Sequence, residues 1–207
     1  MSSELFYYSQ KMGKIIFLGM EEVIGKSGLD SIFQLASLDV LRREWPVEPE
    51  DKTLPFDTVS LLQSTLEQKF GSRGGRGFAL RTGRATFKYG IKEYGSILGL
   101  TEIAFRLLPL STKLHAGARS FAELFNKHTD QKVRVEEKEG RIFWHIERCP
   151  LCWERKSDEP VCHLAVGLLQ EALYWLSNGK IFFVEETTCI ARGDPACTIT
   201  IDTRPLA

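Results

Sequence analysis

Apolar positions in the first half of the chain recur at helical spacing. From Leu5 to Gly25 they fall at Phe6, Met12, Ile15, Ile16, Met20 and Val23, which predicts a helix. Gly25 and Gly28 bracket a break, and Leu29 to Trp45 resumes the pattern. The proline- and acid-rich run Pro46–Pro55 predicts a loop. Asp57 is the expected N-cap of a helix reaching Phe70, with Val59, Leu62 and Leu66 on one face. The glycine-rich stretch Gly71–Gly77 is expected to break that helix. Phe78 to Leu108 then predicts a long helical run, interrupted near Gly95 or Gly99 and stopped by Pro109, after which Ser111 is placed to cap a helix through Phe125.

Beyond residue 130 the period changes from 3.6 to 2. Val133 and Val135 alternate with polar residues, the run Lys138–Arg141 suits a tight turn, and Ile142, Trp144 and Ile146 share one face of a returning strand. Cys162–Leu176 predicts an amphipathic helix whose apolar stripe includes Leu168, Leu169, Ala172 and Leu176, ended by Asn178-Gly179. Lys180–Glu186 and Ala196–Asp202 read as two further strands. The expected fold is α+β: a helical N-terminal layer over residues 1–130, packing on the same domain as an antiparallel β-β-α-β-β unit over residues 131–207.

Composition and charge narrow the function by exclusion. The 207 residues carry 27 basic and 27 acidic side chains, so there is no basic excess of the kind that coats nucleic acid. The longest apolar stretches fall far short of the ~20 residues a membrane-spanning helix needs. The N-terminus has no export-signal pattern, so a cytoplasmic location is expected. Arg84, Lys88 and Lys92 recur every four residues on one helix face and form a candidate anion contact, weighed against an ordinary solvated face. The glycine-rich loop before them fits neither a phosphate-binding P-loop nor a dinucleotide fingerprint.

The cysteines carry the sharper signal. All five lie in the last 59 residues, and their odd number forbids complete internal pairing. Cys149 and Cys152 form a C-x2-C pair after a strand, Cys162 begins a helix, and Cys189 and Cys197 flank a turn-rich connection containing Gly193 and Asp194. Glu186 lies three residues before Cys189. Any one of these cysteines alone is at home as a small buried hydrophobe. Their clustering points instead to a metal site, since zinc takes four tetrahedral ligands from thiolate, imidazole or carboxylate.

The runs Glu159–Gly167 and Glu185–Cys197 resemble the 4-vinyl-reductase, or hydrocarbon-binding, domain family, which includes the aromatic-sensing domains of phenol- and xylene-responsive activators. The resemblance implies a fold of the NO-signalling/Golgi-transport ligand-binding type, similar to haem nitric-oxide sensors and TRAPP-type subunits. It implies a structural zinc held by Cys162, Glu186, Cys189 and Cys197. Cys149 and Cys152 depart from the family pattern; they could replace a ligand, exchange with one, or stand by as thiols. The resemblance also implies a cavity for a hydrophobic small molecule, whether aromatic, fatty-acid-like or tetrapyrrole. Candidate lining residues are Phe143, Trp144, Val166, Leu169 and Phe183, with His115 as a polar contact, each of which alone would equally suit an ordinary core. The primary expectation is a non-catalytic sensor or carrier. The alternatives are an accessory protein or enzyme of tetrapyrrole vinyl reduction, and a protein-binding scaffold. The numerous apolar residues of the N-terminal helices, together with the resemblance to dimeric sensors, predict a homodimer.

Overall fold

The computed structural model describes residues 5–38, 51–99 and 103–206. The element order is β1 (Tyr7–Ser9), α1 (Gln10–Leu35), β2 (Lys52–Pro55), α2 (Phe56–Tyr94), α3 (Ile103–Arg106), α4 (Leu110–His128), β3 (Lys132–Lys138), β4 (Arg141–Arg148), α5 (His163–Leu176), β5 (Phe182–Thr188) and β6 (Cys197–Pro205). The fold is α+β, with a helical N-terminal part packed on an antiparallel sheet of order β3-β4-β6-β5.

The C-terminal unit follows the sequence pattern closely. Glu139 and Gly140 both take positive φ, 53° and 74°, and this turn sets the β3–β4 register, in which Lys138 pairs with Arg141. Alternation then turns Ile142, Trp144 and Ile146 inward, all at most 2% exposed, where they meet Ile199 and Ile201 of β6. The fold reading is right here because one buried face demands a strict period of two.

The N-terminal half departs from expectation in four places. Tyr7–Ser9 is a strand paired with Lys52–Pro55, not the start of a helix or part of a loop. Ser9 caps α1 by accepting from the Met12 amide at 3.3 Å, which moves the helix start to Gln10. Helix α2 starts at Phe56 behind Pro55, so Asp57 lies in its first turn instead of at its cap. Likewise Pro109 precedes α4 and Ser111 lies inside it. The expected break at the Gly71–Gly77 run is present but confined to Gly71, which leaves helical geometry at φ 73° before the helix resumes at once. The helix expected to reach Trp45 ends at Leu35 with Ala36 as its cap, and positions 39–45 of that expectation lie outside the described residues.

Two glycines set the crossing of α2 and α5. A Cβ on Gly83 would sit 2.0 Å from the Leu164 carbonyl oxygen, and one on Gly167 would sit 2.0 Å from that of Leu80. Backbone therefore meets backbone, and only glycine fits on either side. This contact fixes the N-terminal end of α5, where Cys162 stands as the cap residue.

The apolar residues of α1 that predicted a dimer face are largely used inside the chain. Ile15, Ile16 and Met20 are at most 6% exposed.

Candidate functional site

Five separate pieces of backbone bring sulfur and carboxylate to one buried place. Cys149 and Cys152 sit on the turn that leaves β4, and Cys162 caps α5. Glu186 points inward from β5, on the same face as Phe182 and Val184. Cys189 leads into a short 3-10 turn (Ile190–Arg192) that ends on Gly193 at φ 92°, and Cys197 opens β6. Asp194 holds this loop by accepting from the Cys189 amide at 2.8 Å, and the Ser157 amide donates to the Ala191 carbonyl at 2.9 Å, tying the two loops together. The turn after Cys152 is anchored to the helical layer, since Ser60 Oγ donates to the Trp153 carbonyl at 2.8 Å.

All five thiols are free and buried. Their sulfurs are close: Cys149 to Cys162 3.5 Å, Cys152 to Cys197 3.4 Å, Cys162 to Cys197 3.7 Å, Cys197 to Cys189 3.9 Å and Cys162 to Cys189 4.0 Å. Four thiolates bound at about 2.3 Å to one tetrahedral ion lie about 3.8 Å apart. The observed spacings bracket that edge length. Glu186 Oε2 accepts from the Cys162 amide at 2.7 Å, while its Oε1 is buried and, among the described residues, has no hydrogen-bond partner. A buried carboxylate oxygen left in this way is costly unless a cation meets it. The donor set therefore fits a zinc-class metal.

Burial, and then the Cys189 charge, pushes the Glu186 carboxyl up to about 9 against the pull of the Cys162 amide. Burial pushes the Cys149 thiol up as well. His163 stands beside Cys162 but is outside the groups of converging ligand atoms; burial, then Arg76 and Arg155, pulls it down to about 4, so it is neutral.

Next to the cluster lies an apolar cavity of about 70 Å³. Trp144 and Ile146 form its sheet side, Leu164 and Leu169 its α5 side, and Phe87 and Met12 its N-terminal helix side. Leu151, between the two cysteines of the C-x2-C turn, also lines it, so cavity and cluster share a wall. Tyr8 belongs to both: burial, then the charges of Cys149 and Cys162, pushes its phenol well up, and it donates to Gln131 Oε1 at 2.7 Å. Thr86 also lines the cavity, and among the described residues its buried hydroxyl has no partner.

Of the residues expected to form the pocket, the structure brings Trp144 and Leu169 to it and leaves out the others. Phe143 and Phe183 lie on the outer face of the sheet; Phe143 stacks on His145, and Phe183 is 52% exposed. Strand alternation forbids Phe143 from sharing a face with Trp144. Val166 is buried but turned about a third of a turn away from the Leu164, Ala165, Leu168 and Leu169 face. His115 lies 3.0 Å from Glu137, which also binds Arg119, on the far side of α4. The basic row does not reach the cavity either. Arg84 donates to Gln170 Oε1 at 2.7 Å, Lys88 lies 3.9 Å from Glu22, and Lys92 stands over the Tyr89 ring. It is Thr86, Phe87, Gly90 and Ile91 that α2 turns to the cavity. The contributions of Tyr8, Met12 and Phe87 were missed, although the apolar spacing in α1 had marked Met12 as a face residue.

The fold of this chain is similar to that of solved H-NOX proteins. An H-NOX protein from S. oneidensis superposes with a TM-score of 0.56 at 14% identity, over 93% of this chain and 98% of that one. Another, solved to probe heme distortion in the H-NOX family, gives 0.60 at 11% identity over 96% and 97%. The phenol-responsive sensory domain of the transcription activator PoxR, solved with phenol, gives 0.52 at 17% identity over 82% and 89%. At such identities the likeness is one of fold. Residues 142–203 match the model of the 4-vinyl-reductase domain, the family that the cysteine motifs resemble. An uncharacterized protein of Methanocaldococcus jannaschii is 27% identical over 113 residues, covering 54% of this chain and 60% of that protein. The bacteriochlorophyll synthase 23 kDa chain of Cereibacter sphaeroides is 31% identical over 119 residues, covering 52% and 56%. The chain thus spans little more than half the length of the curated relatives it matches.

Proposed function

We propose that this protein is a non-catalytic sensor or carrier that takes one small hydrophobic molecule into the cavity beside Trp144, with a structural zinc at Cys162, Glu186, Cys189 and Cys197. The observation that carries the reading is the cavity itself, lined mostly by apolar side chains from sheet and helices. Such a site excludes water from a hydrophobic ligand. The shared fold with a domain solved with phenol supports an aromatic ligand. The zinc, bound by four protein groups, would have no open position for chemistry. Its place is to tie the start of α5 to β5 and β6, and the sulfur spacing supports it.

The similarity to a bacteriochlorophyll synthase chain favours a second reading, a role in tetrapyrrole metabolism. The cavity of about 70 Å³ is under half the roughly 150 Å³ that holds a benzene ring, so even a one-ring ligand requires the half-buried wall residues Ile91, Ala165 and Leu168 to give way, and a tetrapyrrole requires far more. A thermal-shift screen of aromatic, fatty-acid and tetrapyrrole compounds on the zinc-loaded protein tests both. A concentration-dependent rise with one-ring aromatics supports the first reading, and a rise confined to tetrapyrroles supports the second. No rise with any compound removes both. The same proposal includes a homodimer through the N-terminal helices, a cytoplasmic location that keeps the thiols reduced, and a helical region before residue 130 serving the zinc-containing unit after it.

A further inference from the structure

The zinc quartet just proposed leaves two buried cysteines without a role. Cys149 and Cys152 are each 1% exposed, and their sulfurs make the two shortest contacts in the cluster, to Cys162 and Cys197 respectively. Six ligand groups therefore form two overlapping sets: Cys149, Cys152, Cys162 and Cys197; and Cys162, Glu186, Cys189 and Cys197. Within each set every ligand atom lies within 4.8 Å of every other. Each set by itself has the size of one tetrahedral site.

The sets share one edge, the Cys162–Cys197 pair at 3.7 Å. Two tetrahedra with a common edge describe two metal ions joined by two bridging thiolates. We propose that the cluster is dinuclear: Cys162 and Cys197 bridge two zinc-class ions, Cys149 and Cys152 complete the shell of one, and Glu186 and Cys189 that of the other. This rests on the reading of the cluster as a metal site and goes beyond a single structural zinc.

Each half has its own observation. The first half holds the closest sulfur pairs. The second holds the unpartnered Glu186 Oε1, which a metal confined to the all-cysteine set would leave unmet. Charge favours two ions over one. Five thiolates and one carboxylate carry six negative charges when ionised, and two divalent ions leave only two of them in a buried site. The surroundings stabilise that remainder. The Ile190 amide donates to Cys197 Sγ at 3.3 Å, and Cys162 sits at the positive end of α5. Bridging also explains why the turn after β4 carries a C-x2-C pair facing residues that already have a complete quartet without it.

The test is metal stoichiometry by native mass spectrometry on the full chain from zinc-replete cells, followed by cadmium-113 exchange and proton–cadmium correlation spectra. Two ions per chain are expected, with the β-protons of Cys162 and Cys197 each correlating to both cadmium resonances. The double variants C149S/C152S and E186Q/C189S should each fall from two ions to one. One ion per chain at saturation, two ions with no shared cysteine, or an undiminished count in C149S/C152S would overturn the dinuclear assignment. A single ion would leave the structural zinc standing, whereas no bound metal would remove both. The wild-type spectra decide the matter if a variant does not fold.

Discussion

Replacing Thr86 with Val exchanges a buried hydroxyl that packs against Gly19 of α1 for a methyl group of similar size. Thr86 is 4% exposed, lines the cavity, and its hydroxyl has no partner among the described residues. Burying an unpaired hydroxyl costs about 1–3 kcal/mol, which the valine recovers in the ligand-free protein. Helix propensities of Thr and Val are close, so the backbone of α2 contributes little to the difference. For a chain of this size, 1 kcal/mol moves the melting temperature by about 2–4 °C. Thr86→Val should therefore melt about 2–12 °C higher by calorimetry. A lower melting temperature would show that the hydroxyl is satisfied in the wild-type protein, or that a methyl group does not fit where it packs against Gly19.

Gly83→Ala would set a Cβ 2.0 Å from a backbone oxygen of α5, so it should cost about 3 kcal/mol or more, whereas Gly77→Ala, with open space around it, should gain about 0.5–1 kcal/mol; chemical denaturation of the pair measures both. Cys189→Ser should bind less metal than the wild type and melt below it, because structural zinc binding is folding free energy; a variant that melts like the wild type would refute this. Light scattering at micromolar concentration should give a dimer mass, and a monomer mass would remove the homodimer.

The β-β-α-β-β unit was legible because each of its elements buries one face, and the pattern at Ile142, Trp144 and Ile146 records it directly. The proposed ligands Glu186, Cys189 and Cys197 could be picked out because they lie on one short connection whose spacing survives in sequence. The merging of all five thiols could not be, since Cys149 and Cys152 reach the cluster only through the turn after β4. The cavity was half legible. Trp144 and Leu169 follow from one-sided patterns, but α1 and α2 are buried on several sides, so no single stripe marks Met12 or Phe87 as cavity residues. The strand Tyr7–Ser9 is too short for alternation to reveal, and it is specified from a distance by Asp130, which accepts from the Tyr7 amide at 2.9 Å. The regular spacing of Arg84, Lys88 and Lys92 marked a helix face correctly, but that face meets Gln170 and Glu22, away from the cavity.

Binding of a one-ring hydrophobic molecule beside Trp144 is the centre of the account, and intermolecular nuclear Overhauser effects measure it most directly. A ring burying roughly 200 Å² of apolar surface contributes about 5 kcal/mol, which corresponds to a dissociation constant of about 0.1–1 mM. At a few millimolar phenol on the zinc-loaded protein, cross-peaks should appear from the ligand ring to Trp144, Phe87 and Leu169, which line the cavity together. Cross-peaks only to exposed Ile181 and Phe183, or none at saturating concentration, would contradict it.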